Sequence, residues 1–269
     1  MSIWPEYRKI TVQKANPASS TLYDKRYYLN HRGGSHEFQK SKGKILYAQH
    51  KFALELAKLK FNDRVLDLGC GCGEVALNAA LFSKSVLAID YSQDAIDLAL
   101  EARNGFQPEI QGKIKFLKAD FNEMTFPSGY FDVTFFLDVI EHLTPKQIGH
   151  ALGSIYRSLR PGGRVIVHTW PNRWHRQLTY PVSCYLGKFL KQERPRNPRT
   201  THEELMHLSE QSPYGLRNHL KKAGFQTKVF LHFTKSNSTS YYEQVYDVFH
   251  SAFPLKWFFC DHIWGIGIK

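Results

Sequence analysis

The feature that most constrains the fold is a short apolar run that ends in three glycines, VLDLGCGCG at Val65–Gly73. The run has the length and composition of a buried strand, and helical periodicity begins directly after it. Glycine permits backbone angles and close approaches that a Cβ would forbid, and the first turn of a helix has free N–H groups. The segment therefore predicts a strand, a turn and a helix, with a ligand at the turn.

Segments with strand and helix periodicity alternate around this turn. They predict strands at Val65–Leu68, Ser85–Ile89, Ile114–Lys118, Phe131–Leu137 and Arg164–His168, and helices at Glu74–Phe82, Gln93–Arg103 and Lys146–Leu159. Such alternation implies right-handed crossovers and a parallel, doubly wound sheet. We expect an α/β domain over residues 62–269, preceded by an N-terminal arm or lid and a helix over residues 1–61.

The flanking segments are less regular. The first forty residues look like an irregular arm, and residues 170–201, rich in proline, arginine and aromatic side chains, predict a partly helical lid over the sheet. Helical spacing recurs between Ile45 and Leu59 and over Ser212–Ala223, and Gln226–Phe233 is a predicted strand. We expect the aromatic segment Ser240–Phe259 to pack on the core. His262–Ile268 alternates as an edge strand would, and it could pair antiparallel with the strand before it.

Composition and charge narrow the class of protein. The net charge is +12, and the basic excess lies in residues 1–60 and 160–199, whereas residues 120–142 carry five acids and no Lys or Arg. A basic balance favours an anionic partner. No apolar stretch reaches the roughly 20 residues of a membrane span. With no apolar signal run and four cysteines, we expect a cytoplasmic protein without a disulfide framework; the oligomeric state stays open.

The glycine turn favours a positively charged ligand. In the dinucleotide pattern G-x-G-x-x-G the turn holds a pyrophosphate, but here the third glycine comes one residue early. Asp67, two residues before the first glycine, would disfavour a pyrophosphate and favour a cation such as an ammonium group. Both features argue against a nicotinamide-dependent oxidoreductase, which remains an alternative together with a non-catalytic nucleotide-binding protein.

Two further acids follow predicted strands. Asp90 ends the strand after the turn, where an acid can accept hydrogen bonds from both hydroxyls of a ribose. Its alternative role is to cap the helix that starts near Ser92. Asp120 follows the next strand and can accept the amino group of adenine while Phe121 packs on the ring. The alternative for Asp120 is a loop acid without a role.

Together these motifs resemble the class I S-adenosylmethionine (SAM)-dependent methyltransferases. VLDLGCGCG, the Asp90 strand end, KADF, FDVTFFLDVIEHL and LRPGGRVIV occur in order over residues 62–169, with looser similarity to residue 233. The resemblance implies a seven-stranded, mostly parallel Rossmann-like sheet with a reversed final strand, SAM as cofactor and methyl transfer by in-line displacement. The cofactor-binding residues it implies are Asp67, Gly69, Cys70, Gly71, Gly73, Asp90, Tyr91, Asp120, Phe121 and Leu137.

A second cluster lies just past a strand end, where the methyl acceptor would face the methyl group. We predict Asp138, Glu141 and His142 as catalytic residues, with His142 as a general base that removes a hydroxyl proton. Carboxylates and an imidazole within one turn can instead share a metal ion. A third interpretation is that Glu141 and His142 cap and pack the following helix.

Two narrower resemblances concern the acceptor. Asp138-x-x-Glu141-His142 with the distant His207 is similar to the small-RNA 2′-O-methyltransferases, which implies a divalent metal on those four residues and an RNA acceptor. This sequence has Asp for that family's first Glu and no recognisable RNA-binding module. YDKRYY from Tyr23 and HLSEQSPYGLRNHLKKAGF from His207 resemble bacterial methyltransferases of small molecules or cell-surface sugars.

The second of these resemblances implies that Tyr23, Tyr27 and Tyr28 close over SAM and that residues 170–199 form the acceptor pocket. We predict an O- or N-methyltransferase that acts on a small or anionic molecule, with no residue assigned as a metal ligand and the use of a metal left open. A metal-assisted RNA methyltransferase is the alternative, and a nucleic acid partner is not favoured.

Overall fold

The computed structural model describes residues 8–9, 22–189, 195, 197, 199, 201–232 and 254–269. One sheet has the seven strands β1 (Arg64–Leu68), β2 (Ser85–Asp90), β3 (Ile114–Lys118), β4 (Phe131–Leu137), β5 (Leu159–Thr169), β6 (Gln226–Leu231) and β7 (Ile263–Ile268). Their spatial order is β3-β2-β1-β4-β5-β7-β6, and β7 runs antiparallel to the other six strands. The predicted seven-stranded, mostly parallel sheet is confirmed.

Helices cover both faces of the sheet, as predicted for a doubly wound fold. They are α1 (Lys25–Asn30), α2 (Ser35–Ser41), α3 (Ala48–Ala57), α4 (Glu74–Ala79), α5 (Gln93–Arg103), α6 (Pro108–Gly112), α7 (Pro145–Ser158), α8 (Tyr180–Phe189), α9 (Thr201–Met206), α10 (Pro213–Lys222) and α11 (Lys256–Phe259). Alternate side chains of the strands enter two apolar layers, one shared with α3–α5 and the other with α7 and α10. Across the described residues, we find no helix with the length and apolar character of a membrane span.

The prediction of an irregular N-terminal arm is wrong over residues 25–41, which form α1 and α2. The carboxylate of Asp24 caps α1 by accepting a hydrogen bond from Tyr27 N at 2.8 Å, and α2 begins after Gly34. Tyr28 and Phe38 are buried in the core. Each helix has six or seven residues, about two turns, which is too short to show helical periodicity in the sequence.

The prediction that His262–Ile268 is an edge strand is also wrong. β7 lies between β5 and β6 and pairs antiparallel with both, so β6 is the edge strand. Its glycines explain the misleading alternation: a Cβ on Gly265 would lie 3.1 Å from Leu216, and one on Gly267 would lie 2.8 Å from the Phe225 ring. These glycines allow α10 and the chain that follows it to pack closely on an interior strand. The predicted antiparallel pairing with the preceding strand is confirmed.

The insertion after β5 is partly helical, as predicted. A π-helical turn at His175–Thr179 continues into α8. Between 190 and 200 only residues 195, 197 and 199 are described, and most of the aromatic segment at 240–259 lies outside the described residues.

Candidate active site

A cavity of about 490 Å³ lies at the carboxyl ends of the parallel strands, beneath α1. Of the thirteen residues predicted to bind or cover the cofactor, all but Gly73 line it, and so do the four residues of the catalytic and alternative metal sets. The twelve are Asp67, Gly69, Cys70, Gly71, Asp90, Tyr91, Asp120, Phe121, Leu137, Tyr23, Tyr27 and Tyr28. Within the insertion, Trp170 is the described residue that reaches the cavity.

The glycine turn is tied to the end of β2. Gly69 N and Cys70 N both donate hydrogen bonds to Ile89 O, at 2.8 and 3.0 Å. Gly73 is the residue that does not line the cavity. It precedes α4 with φ 80°, and a Cβ there would lie 2.7 Å from the Phe116 ring. The structure therefore gives Gly73 a part in packing α4 and α5 against the sheet.

Asp67 presents an unpaired carboxylate at this turn. The side chain is buried, and its Oδ2 has no hydrogen-bond partner. Burial, together with the nearby Asp90 and Glu74 carboxylates, raises the pKa of Asp67 to about 8. A cationic ligand would supply the missing partner and stabilise the ionised form.

Asp90 holds the turn from the other side. Its Oδ2 accepts a hydrogen bond from Gly71 N and its Oδ1 accepts one from Ser92 N, both at 2.9 Å. Burial raises the pKa of Asp90 despite these bonds. The cap of α5 is Ser92, whose Oγ accepts from Ala95 N at 3.2 Å, so the capping interpretation of Asp90 is wrong.

Asp120 and Phe121 follow β3 and form the far wall of the cavity. The Asp120 Oδ1 accepts from Asn122 N at 2.9 Å and caps a short 3₁₀ helix. Phe121 is buried, with its ring edge-on to Phe136 at 5.8 Å between centroids. The acid is thus held by its own loop and still borders the cavity.

Tyr23, Tyr27 and Tyr28 of the N-terminal segment cover the cavity. Tyr23 lies edge-on to Tyr91, with the ring centroids 5.2 Å apart, and Ser92 Oγ donates to Tyr23 O at 2.7 Å. A buried ion pair between Arg32 and Glu74, 2.6 Å long, joins this segment to α4. The sequence analysis missed both partners of this pair. The position of Glu74 directly after the glycine turn marks it as a candidate site residue, whereas no motif in the sequence surrounds Arg32.

Glu141, His142 and His207 converge on one side of the cavity. Their potential metal-binding atoms lie within 4.8 Å of one another. His142 Nδ1 is 3.1 Å from Met206 O; because a carbonyl only accepts, the hydrogen lies on Nδ1 and Nε2 keeps a lone pair. Burial lowers the pKa of His142. Burial and the nearby Asp138 raise the pKa of Glu141 well above its usual range, and its Oε2 accepts from Thr169 Oγ1 at 2.9 Å.

Asp138 faces a different partner. Its Oδ1 lies 2.7 Å from His168 Nδ1, and it has no place in the Glu141–His142–His207 group. Burial opposes ionisation, but the histidine contacts, chiefly with His168, outweigh it and hold the pKa of Asp138 below its usual range. His168, His262 and His50 also line the cavity, and the sequence analysis missed all three. His168 near the end of a predicted strand was the one available signal.

The cavity is acidic although the chain is basic. Its described lining has one guanidinium, that of Arg32, and six carboxylic side chains: Asp67, Glu74, Asp90, Asp120, Asp138 and Glu141. Low-dielectric walls lined by one sign of charge concentrate ligands of the opposite sign. The cavity therefore favours a cationic ligand.

Comparison with known proteins agrees with this geometry. Residues 65–163, from β1 to the loop within β5, match the family described as a methyltransferase domain. The domain is a class I SAM-dependent methyltransferase. SAM is the cofactor of this class.

Relatives of the methyltransferase domain act on different molecules. A sterol 24-C-methyltransferase of Neurospora crassa is 34% identical over 125 residues, 45% of this chain and 31% of that protein. A ubiquinone/menaquinone biosynthesis C-methyltransferase of Azotobacter vinelandii is 29% identical over 141 residues, 51% of each chain. The chain thus spans about a third to a half of the length of these relatives.

One solved structure is similar in fold over most of this chain. The phosphoethanolamine N-methyltransferase 2 of Haemonchus contortus, in complex with phosphomonomethylethanolamine and S-adenosylhomocysteine, is 20% identical with a TM-score of 0.58. The match covers 91% of this chain and 60% of that one. The sheet and its flanking helices are therefore shared well beyond the family match.

Proposed function

We propose that this chain transfers the methyl group of SAM to a hydroxyl oxygen of a small acceptor. The observation that carries the proposal is one cavity with two different walls. The cofactor half is Asp67, Gly69–Gly71, Asp90, Asp120 and Phe121, at the ends of β1–β3. The acceptor half lies at the ends of β4, β5 and β7 and contains Asp138, Glu141, His142, His168, His207 and His262.

The cofactor half offers a separate partner for each part of SAM. The unpaired Asp67 carboxylate suits the ammonium group, and Asp90 suits the ribose hydroxyls. Asp120 and Phe121 suit the adenine, and Leu137 lies toward the acceptor half. Tyr23 and Tyr27 would cover the bound cofactor and exclude water. Two observations support these assignments: the side chains all line one cavity, and Asp67 Oδ2 has no hydrogen-bond partner.

The charge of the acceptor half favours a neutral acceptor over an anionic one. Asp138 and Glu141 are its charged or ionisable acids, and burial lowers the pKa values of His142 and His207, the latter to about 3. Both imidazoles are therefore neutral near pH 7, and the described lining of this half offers no Lys or Arg to a phosphate or carboxylate. A hydroxyl group, in contrast, can donate to the lone pair of His142 Nε2.

Methyl transfer depends mainly on the alignment of the acceptor oxygen, the methyl carbon and the sulfur. The acceptor oxygen forms a bond to the methyl carbon as the bond from that carbon to sulfur breaks, and the hydroxyl proton must leave. Holding the three atoms in line can supply a large part of the rate enhancement. His142 would orient the acceptor by accepting a hydrogen bond from a second donor group on it, beside the reacting hydroxyl.

Calorimetry with SAM and with NAD, followed by a tritiated-methyl screen over phenols, sugars and RNA, tests the proposal. We expect SAM to bind, NAD not to bind, and label to enter a small hydroxyl compound. Binding of NAD in preference to SAM would contradict the cofactor assignment. SAM binding with label entering only RNA would contradict the acceptor assignment.

The second candidate is a metal-assisted RNA 2′-O-methyltransferase, because Glu141, His142 and His207 converge. One carboxylate and two imidazoles suit a divalent ion, and His207 Nδ1 has no hydrogen-bond partner. The bound ion would supply Lewis-acid chemistry to the acceptor. Full activity after dialysis against a chelator, together with unchanged manganese binding in His207→Ala, would count against it.

A further inference from the structure

The proposed function does not use the line of side chains that crosses from β4 through β5 to the start of β7. We infer that Asp138, His168 and His262 form a proton-accepting relay for the acceptor hydroxyl, with His262 Nε2 as the atom that takes the proton. This inference rests on the proposed methyl transfer to oxygen.

The three side chains are held in contact by the sheet. Asp138 Oδ1 lies 2.7 Å from His168 Nδ1, and His168 Nε2 lies 3.1 Å from His262 Nδ1. The two imidazole planes are within 18° of each other. Asp138 N also donates to His168 O at 3.0 Å, which fixes the backbone at the end of β4 against β5. Neighbouring strands therefore set the spacing of the line.

Charge favours one arrangement of the hydrogens, although the 2.7 Å contact between Asp138 Oδ1 and His168 Nδ1 lacks the alignment of a hydrogen bond. A carboxylate next to His168 Nδ1 favours a hydrogen on that nitrogen, because a lone pair there would repel it. His168 Nε2 is then an acceptor, so His262 Nδ1 must donate. His262 Nε2 is left with a lone pair on a ring that lines the cavity.

Proton uptake along this line leaves the charge beside Asp138. When the oxygen–methyl bond forms and the sulfur–methyl bond breaks, the hydroxyl proton passes to His262 Nε2. The His262 Nδ1 proton moves to His168 Nε2, and His168 becomes an imidazolium paired with the Asp138 carboxylate. No oxidant or further reactant is needed, and the net products are the methyl ether, S-adenosylhomocysteine and one proton held by the relay.

The surroundings favour this final position of the charge. Burial, together with His168, lowers the pKa of His262 to about 3, so that ring stays neutral before reaction. His50 from α3 faces Asp138, His232 faces His262, and the Trp264 ring lies 4.3 Å from His168. The Nδ1 atom of His142, by comparison, faces the Met206 carbonyl. Of these imidazoles, His168 has the carboxylate at 2.7 Å.

Nitrogen-15 spectra of histidine-labelled protein with S-adenosylhomocysteine test the relay without any acceptor. Signals are assigned with His168→Gln and His262→Gln. We expect Nδ1–H tautomers for both rings. Asp138→Asn should raise the share of the Nε2–H tautomer of His168, because the carboxylate that favours a hydrogen on Nδ1 is gone. Nε2–H tautomers in the parent protein, or an unchanged His168 tautomer in Asp138→Asn, would each overturn the relay.

Turnover of catechol, a neutral phenol, supplies a second measurement. We expect His262→Gln to lower kcat about 100-fold, within the usual range for loss of a general base, with little change in KM or SAM affinity. The matched control is His232→Gln, which removes a nearby histidine outside the cavity lining and should keep wild-type kcat. Equal loss in both variants would overturn the relay. If SAM binds but no acceptor is methylated, the proposed function fails, and the spectra still decide the relay.

Discussion

The cofactor half of the cavity is built from backbone groups and carboxylates, whereas the acceptor half is built largely from imidazoles. In the cofactor half, Gly71 N and Ser92 N hold Asp90, and the turn is fixed to β2. In the acceptor half, His142, His168, His207 and His262 lie near two acids. The comparison teaches that one half is suited to hold a ligand of constant shape, and the other to exchange protons with it.

The largest expected effect would come from the cofactor half. Asp90→Ala removes the proposed ribose acceptor, and loss of two charge-assisted hydrogen bonds, at about 1.5–3 kcal/mol each, should weaken SAM binding at least about 100-fold. Calorimetry measures the affinity, and circular dichroism checks that the fold persists. Affinity equal to wild type would show that the ribose lies elsewhere.

Asp67→Asn should weaken SAM binding about tenfold, the equivalent of one charge-assisted bond. The pKa of Asp67, about 8 in the folded protein, lies above its usual value of about 3.9. This group's contribution to stability is therefore complete below about pH 4 and is lost as the pH rises through about 8.

The raised pKa of Asp67 also predicts proton release when SAM binds near pH 7, because the ammonium group of SAM favours the ionised form of Asp67. Calorimetry in two buffers of different ionisation enthalpy measures the proton, and urea titrations at pH 5 and pH 8 measure the stability. Asp67→Asn should remove both the proton release and the difference in stability between pH 5 and pH 8. Proton release that persists in this variant would assign the proton to another group.

In the acceptor half, His142→Ala should lower turnover about tenfold, as expected for one orienting hydrogen bond, and leave SAM affinity nearly unchanged. Steady-state kinetics and calorimetry separate the two effects. Unchanged turnover would return His142 to a packing role. A larger loss of SAM affinity than of turnover would show that His142 takes part in cofactor binding.

Gly73→Ala should have the smallest effect on SAM affinity and act on stability instead. A Cβ would meet the Phe116 ring at 2.7 Å in a backbone with φ 80°, which should cost about 1–3 kcal/mol. The matched control is Gly112→Ala, where a Cβ would meet nothing within 4 Å. Urea unfolding measures both variants; equal stabilities would contradict the packing role.

The cofactor half could be predicted from sequence because each of its acids lies near the end of a recognisable strand or shortly after it. Parallel strands bring such ends to one edge whatever the spatial order of the strands. The acceptor half depends on that order: His168 and His262 are 94 residues apart in the chain and meet because β7 inserts beside β5. Nothing in the His262–Ile268 pattern distinguishes an interior strand from an edge strand, so this pairing could not be predicted.

The acidic lining has a consequence for the end of each catalytic cycle. SAM carries a sulfonium charge, and methyl transfer turns that sulfur into a neutral thioether. The ionised carboxylates of the lining, Asp138 among them, attract the first species more strongly than the second, so the spent cofactor should leave more readily than fresh cofactor. The acidic lining would in this way limit inhibition by S-adenosylhomocysteine. Because salt screens charge, the difference between the dissociation constants of SAM and S-adenosylhomocysteine should become smaller as ionic strength rises.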